Sequence, residues 1–499
     1  MVKLKKVFCS YLAVMILGFS CLFLVSCSAS EAEKHSKGLT SYSIKASLSN
    51  DMKISASETI DFVNKTGQDL GEVCFHLYPR AFREGASFKP YTTLTLASCF
   101  PNGISYGNIE ILKVCVNGES KAINLTGEDE DILQVDFGFN LENKKSVKID
   151  IGFNLTIPNA THRFGYYNDN INLGNWYPIL CEFVDGKFDI SPYYSTGDPF
   201  FSEIANYSVE IEYPSEYLIG STGEISEKRE KTTSTATILA KAVRDFAINF
   251  SKSSTKVATT VGSINVFYVG YNGEELQKYL NLSAKAVEYF GKTFGAYPYK
   301  TLTIVKTPFI YGGMEYPNIV FISDSIDDEE EYLKVIVHEI AHQWWYAVVG
   351  NNEVTEAWLD ESLAEYSTAL FFENNTEYGI SYEELVKNAV ASYTLYVDVI
   401  KTLRGEVNTK MNLSVNQYQN DYEYSYMVYV KGVIMFDELK NAVGESKLIA
   451  GLKKYYKDNK FKIARKQDFL NAFRSACHRD LDNFFEGFLT GDSIISSLN

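Results

Sequence analysis

The chain has 499 residues, 45% of them hydrophobic and 22% charged, with a formal charge of −16. That length exceeds one ordinary core and implies two or three domains, and the composition excludes a disordered chain. An acidic balance without a basic face excludes nucleic acid as a partner.

The first element is a leader. Lys3, Lys5 and Lys6 precede an apolar run at 7–25, and small residues and Cys27 follow. A positive start, an apolar middle and a small-residue end are the layout of a secretory signal, here 1–26. Leu24 to Cys27 (LVSC) resembles the bacterial lipoprotein processing box, whose cysteine is lipidated and becomes the new N-terminus. An uncleaved anchor is the alternative, because a helix over 7–25 spans about 28 Å. Either way the expectation is a chain held at the cell membrane through its N-terminal lipid or anchor, with a tether at 27–38 and the remainder outside the cytoplasm. Cys74, Cys99, Cys115, Cys181 and Cys477 remain after processing, an odd number. A disulfide in the first half and a set of buried free thiols both stay open.

From 39 to 255 the pattern alternates. Apolar residues fall at 147, 149, 151, 153, 155 and 157, and "YSVEIEY" at 207–213 reads the same way. This period of two predicts half-buried strands, with turns at Asn117-Gly118 and Pro101-Asn102-Gly103. The region reads as a mostly antiparallel β-sandwich.

From 256 to 499 the period becomes helical. The spacing predicts a helix over 274–295, a strand at 301–307, a turn at 311–318, and a helix starting on Asp324 or Ser325 and stopped by Gly350. Further helices are expected at about 356–374, 382–404, 425–442, 446–456 and 466–489.

The chemistry lies in "VIVHEIAHQWWYAVVG", 335–350. On a helix His338 and His342 sit about 40° apart on one face and roughly 6 Å apart along the axis. Two imidazoles so placed can hold one metal ion, with Glu339 within reach of a water on that ion. Glu361 follows His342 by nineteen residues in "WLDESLAEY". A helix, a turn and an opposed helix bring its carboxylate back to the pair. Two His and one Glu leave a coordination position open, the catalytic pattern for zinc. Glu365, one turn on, is placed to orient a ligand histidine; an ordinary surface glutamate is the competing reading. Trp176, Trp344, Trp345 and Trp358 read as core.

The set H-E-x-x-H, eighteen residues and Glu361 resembles the alanyl aminopeptidase family of zinc peptidases, within the gluzincins. Three further stretches match in order. "YGGMEYPN" is similar to the segment whose glutamate binds the substrate's α-amine, which implies Glu315 in that role with Gly313 and Met314 beside the substrate. "YVKG" at 429–432 is similar to the segment whose tyrosine stabilises the transition state, which implies Tyr429. "AVRDFAI" at 242–248 is similar to the segment closing the family's β-domain. There are departures: Asp360-Glu361-Ser362 stands where Asn-Glu-Gly is usual, and two residues separate Glu315 from Asn318. Glu182 is a candidate second amine ligand.

The resemblance implies a multidomain α and β protein, an N-terminal antiparallel β-sandwich followed by a mostly helical thermolysin-like zinc peptidase domain. It implies one zinc ion per chain on His338, His342 and Glu361, with Glu339 as general base and then acid. The implied substrate is a peptide with a free N-terminus, cleaved at its first bond. A zinc endopeptidase or other hydrolase on the same fold, and a weakly active peptide-binding surface lipoprotein, are the alternatives.

Overall fold

The computed structural model describes residues 29–491. The expected signal at 1–26 and the lipid site at Cys27 lie outside the described residues. Among the described residues no helix is long and apolar enough to cross a membrane.

Alternation becomes sheet. The strand Ser146–Thr156 buries Val147, Ile149, Ile151, Phe153 and Leu155 and turns its other face outward. Each such fully buried side chain contributes roughly 1.5–3 kcal/mol relative to exposure. This strand lies between Lys53–Val63 and Asn108–Val116 in an eight-stranded sheet. Asn117 (φ 51°) and Gly118 (φ 84°) make the tight turn into Glu119–Lys121, both in the left-handed region that such a hairpin requires. The neighbours in this sheet are antiparallel except Ser41–Leu48, which runs parallel to Ala205–Pro214. Two four-stranded sheets share its core, with residues such as Val73, Phe75, Ile171 and Phe250 in one continuous apolar cluster.

The strands Ser254–Val261 and Ile264–Tyr271 begin a five-stranded sheet that continues through Thr301–Thr307 and Ile319–Ser323 to the edge strand Gly313–Met314. Helices follow: Leu276–Thr293, Glu329–Ala341, Glu361–Asn374, Tyr382–Arg404, Lys431–Val443, Glu445–Asn459, Lys466–Cys477 and Asp482–Thr490. The architecture is the expected β-rich part followed by a helical part.

Several boundaries differ from expectation. The histidine helix begins on Asp328, whose carboxylate accepts from the Glu331 amide at 2.8 Å, because Asp324 instead accepts from the Tyr271 hydroxyl at 2.8 Å. The helix ends at Ala341, not at Gly350. Gly350 serves clearance: a Cβ there would stand 2.2 Å from Arg244 Cζ. The stretch expected as one helix over 466–489 breaks at His478, which adopts φ 52°. The helix expected from 425 is instead a short α-turn, Asp421–Ser425, a π-turn, Tyr426–Val430, and the helix Lys431–Val443. The helix expected from 356 begins at Glu361, after a 3-10 turn at Ala357–Leu359. There the Asp360 carboxylate caps the Glu361 amide.

The two parts are joined by buried polar groups. Arg244 donates to the carbonyls of Tyr346 (3.0 Å), Ser202 (2.7 Å) and Lys462 (3.0 Å). Removing it would orphan two buried acceptors, at about 1–3 kcal/mol each, and a partly buried third. The five described cysteines are free and buried, so among the described residues the first half contains buried thiols and no disulfide.

Candidate metal centre and its cleft

Two helices converge on one point. His338 and His342 lie on the last turn of Glu329–Ala341 and its cap, and Glu361 opens Glu361–Asn374. His338 Nε2 and His342 Nε2 are 3.0 Å apart, and Glu361 Oε2 is 3.2 Å from each. Ligands 2.0–2.1 Å from a tetrahedral ion stand about 3.3 Å from one another. The residues therefore fit a single zinc ion.

The far sides of the rings fix this orientation. His338 Nδ1 lies 2.8 Å from Glu365 Oε2, and His342 Nδ1 lies 3.0 Å from the Trp345 carbonyl. Each Nδ1 then carries the proton, and each Nε2 presents its lone pair to the common point. The turn after His342 supplies that carbonyl, which is why the helix stops short of Trp345. Burial raises the Glu361 carboxyl, but the two histidines outweigh it and hold Glu361 below the usual carboxylate range. Reciprocally, burial lowers His338 while Glu361 and Glu365 carry it well above the usual imidazole value. The site is built for a shared positive charge.

Around it lies a cleft of about 400 Å³. Glu339 Oε2 and Glu315 Oε1 are buried there without a hydrogen-bond partner. Burial pushes Glu339 up to about 7, against the pull of His338 and His342. Burial, followed by the charges of Asp198 and Glu339, pushes Glu315 well above the ordinary range. Gly313 leaves room for this arrangement, since a Cβ on it would stand 2.3 Å from Glu339 Oε1. Met314 does not line the cleft: successive strand residues point to opposite faces, and Met314 is buried in the core.

The glutamate segment is held from behind. Gln343 Nε2 donates to the carbonyls of Glu315 (3.2 Å) and Tyr316 (3.1 Å), and Gln343 Oε1 accepts the Asn318 amide (2.9 Å). Tyr316 donates to Asn175 Oδ1 (2.8 Å), and Asn175 donates to Asp245 Oδ2 (2.7 Å). The "VRD" segment of the β-part thus supports the segment that carries Glu315. Asn318 is structural: it sits at φ 63° and donates to the Tyr297 hydroxyl.

Tyr429 projects from the π-turn, and its hydroxyl donates to Glu361 Oε1. Tyr424 also lines the cleft, with its ring 5.8 Å from that of Tyr429. Tyr426 stacks on Tyr396 instead. Sequence reasoning missed Arg163 and Asp198, an ion pair at 2.6 Å on the cleft wall. They lie more than a hundred residues before the histidines, with no spacing to mark them. Glu182 lies in a different cavity.

Residues 278–488 match the peptidase family M1 domain. These residues form a peptidase family M1 domain. The chain is 28% identical over 190 residues to leucine aminopeptidase 2 of Aspergillus fumigatus, covering 38% of this chain and 29% of that one. It is 24% identical over 369 residues to leukotriene A-4 hydrolase of Xenopus laevis, covering 70% and 58%. The matches thus span less than two thirds of these relatives' lengths. A point mutant of an M1 zinc metallopeptidase from Deinococcus radiodurans, bound to a Tyr-Ser-Ala substrate, superposes with TM-score 0.65 at 12% identity, covering 91% of this chain and 94% of that one. The M1 domain here therefore sits in a chain whose whole fold, β-part included, resembles a solved M1 peptidase. Its histidines, Glu361 and Tyr429 all fall within the matched residues.

Proposed function

We propose that the chain is a zinc-dependent aminopeptidase that hydrolyses the first peptide bond of a peptide with a free N-terminus. The observation that carries this reading is Glu315. Its buried carboxylate oxygen has no partner and faces the same cleft as the converged His338, His342 and Glu361. Asp198 faces it too, but Arg163 already meets that charge. Glu315 is left to take an ammonium group.

Bound zinc supplies Lewis-acid polarisation of the scissile carbonyl and acidifies a coordinated water. His338, His342 and Glu361 hold it, with Glu365 and the Trp345 carbonyl fixing the imidazoles. Glu339 takes a proton from the attacking water and returns it to the leaving amine. The Tyr429 hydroxyl donates toward the oxygen on which negative charge develops. Glu315 fixes the α-ammonium, and so sets which bond is cut. The Deinococcus protein's tripeptide ligand supports a peptide as substrate. We also propose that a lipid on Cys27 tethers the enzyme to the membrane, outside the cytoplasm; loss of membrane fractionation in Cys27→Ala tests this.

The test of the main reading compares one peptide with its N-acetylated twin on the zinc-loaded protein. Release of the first residue from the free-amine peptide alone is the expected result. Equal or faster cleavage of the acetylated peptide would reject the exopeptidase assignment in favour of an endopeptidase, and absence of turnover on both would favour a peptide-binding protein.

A further inference from the structure

Glu182 was a candidate for the catalytic cleft, and the structure places it elsewhere. It lines a separate cavity of about 200 Å³ in the β-part, which shares no lining residue with the metal cleft. An apolar cavity of about 150 Å³ takes a benzene, so this one has room for a phenyl or branched aliphatic body and a polar end. Its walls include Tyr42, Phe62, Leu180 and Phe183. Only 8% of Glu182 is exposed, and its Oε2 has no hydrogen-bond partner. Glu203 and Lys65, both exposed, line the same cavity.

A buried carboxylate oxygen without a donor is costly. Here it stands beside a second carboxylate, and burial, then the Glu203 charge, push Glu182 up to about 9. An ammonium group would satisfy both. The cavity thus offers a pair of carboxyl groups, a cationic residue and an apolar wall within the compass of one small molecule. Those are the three parts of a free amino acid.

We propose that this cavity is a second ligand site, for a free α-amino acid with a large apolar side chain. The ammonium sits on Glu182 and Glu203, the carboxylate on Lys65, and the side chain against Tyr42, Phe62 and Phe183. The site's chemistry is independent of the cleft; that its ligand is also what the cleft would release rests on the reading above.

Titration calorimetry of the zinc-loaded full chain with L-phenylalanine tests this, supported by a crystal structure with the same probe. We expect at least tenfold weaker binding at the β-part site in Glu182→Gln, and unchanged binding there in Glu315→Gln. Lys65→Ala, a surface change that cannot unfold the core, weakens L-phenylalanine severalfold but not phenethylamine, which lacks the carboxylate. 3-Phenylpropionate, which lacks the amine, does not bind there. Density for L-phenylalanine in the metal cleft alone, or binding indifferent to Glu182→Gln, overturns the proposal. Loss of aminopeptidase activity with this site intact would overturn the cleft reading only.

Discussion

Ser362 Oγ donates to the Val428 carbonyl at 2.5 Å, tying the residue after Glu361 to the residue before Tyr429. The serine stands where the family's pattern has glycine. Gly432 makes the contact possible, since a Cβ on it would stand 2.4 Å from Ser362 Oγ. The bond joins the helix carrying a metal ligand to the π-turn carrying the tyrosine, and π-turns are frequent at functional sites. Ser362→Ala removes one buried hydrogen bond, worth about 1 kcal/mol. The expected outcome is kcat lowered roughly fivefold, with KM and zinc content within twofold of wild type. Steady-state kinetics with metal analysis checks it; an unchanged kcat would show that Tyr429 is positioned without this contact.

Glu339→Gln keeps the shape of the side chain and removes the base. The ligand imidazole nitrogens are held by Glu361, Glu365 and the Trp345 carbonyl, not by Glu339. Zinc content should stay near one per chain while kcat falls by about 10²–10⁴, the usual worth of positioned proton transfer. Retention of both metal and full turnover would remove Glu339 from the mechanism.

Gly313→Ala tests the same carboxylate from the other side. A Cβ 2.3 Å from Glu339 Oε1 forces that side chain to move. We expect kcat/KM to fall at least tenfold, with the unfolding midpoint little changed because Gly313 lies on an edge strand at the cleft. Activity within twofold of wild type would mean that Glu339 has freedom to spare.

Much of this site was legible because helical spacing is rigid. His338 and His342 had to share a face, with Glu339 one residue round, and Glu361 needed only a connection long enough to return. The strands at 147–157 and 207–213 were legible because period two is strict where one face is buried. What was hidden arises from tertiary constraint. The histidine helix stops at Ala341 because the Trp345 carbonyl is needed on His342, which no local propensity reports. Arg163 and Asp198 reach the cleft through the β-part, so distance along the chain concealed them. Glu182 misled because a glutamate near an aromatic segment carries no sign of which cavity it enters.

Glu315→Gln removes the charge proposed to hold the α-ammonium. A hydrogen bond to a charged group contributes about 1.5–3 kcal/mol. kcat/KM for a free-amine peptide should drop roughly 10- to 100-fold, mostly through KM, while the N-acetylated twin is unaffected. Parallel losses on both peptides would mean that Glu315 serves the fold and not the amine.

His76 sets an acid limit on stability in the β-part. It is buried against Tyr78, with ring centroids 4.7 Å apart. Burial lowers its pKa to about 4, and the nearby Asp189 charge only partly opposes this. The unfolded value is about 6.5, so the folded value is depressed and the unfolded chain binds the extra proton between the two. Stability from the neutral ring is therefore fully present above about pH 6.5 and is lost as pH falls toward 4. The gap corresponds to about 3 kcal/mol. His76→Phe keeps a buried ring and removes the titration. Urea unfolding of both proteins at pH 7 and pH 4 should show wild type losing about 2–3 kcal/mol more than the variant. His162, also buried and held neutral, is present in both and cancels in the comparison. Equal losses in the two proteins would place the acid sensitivity elsewhere.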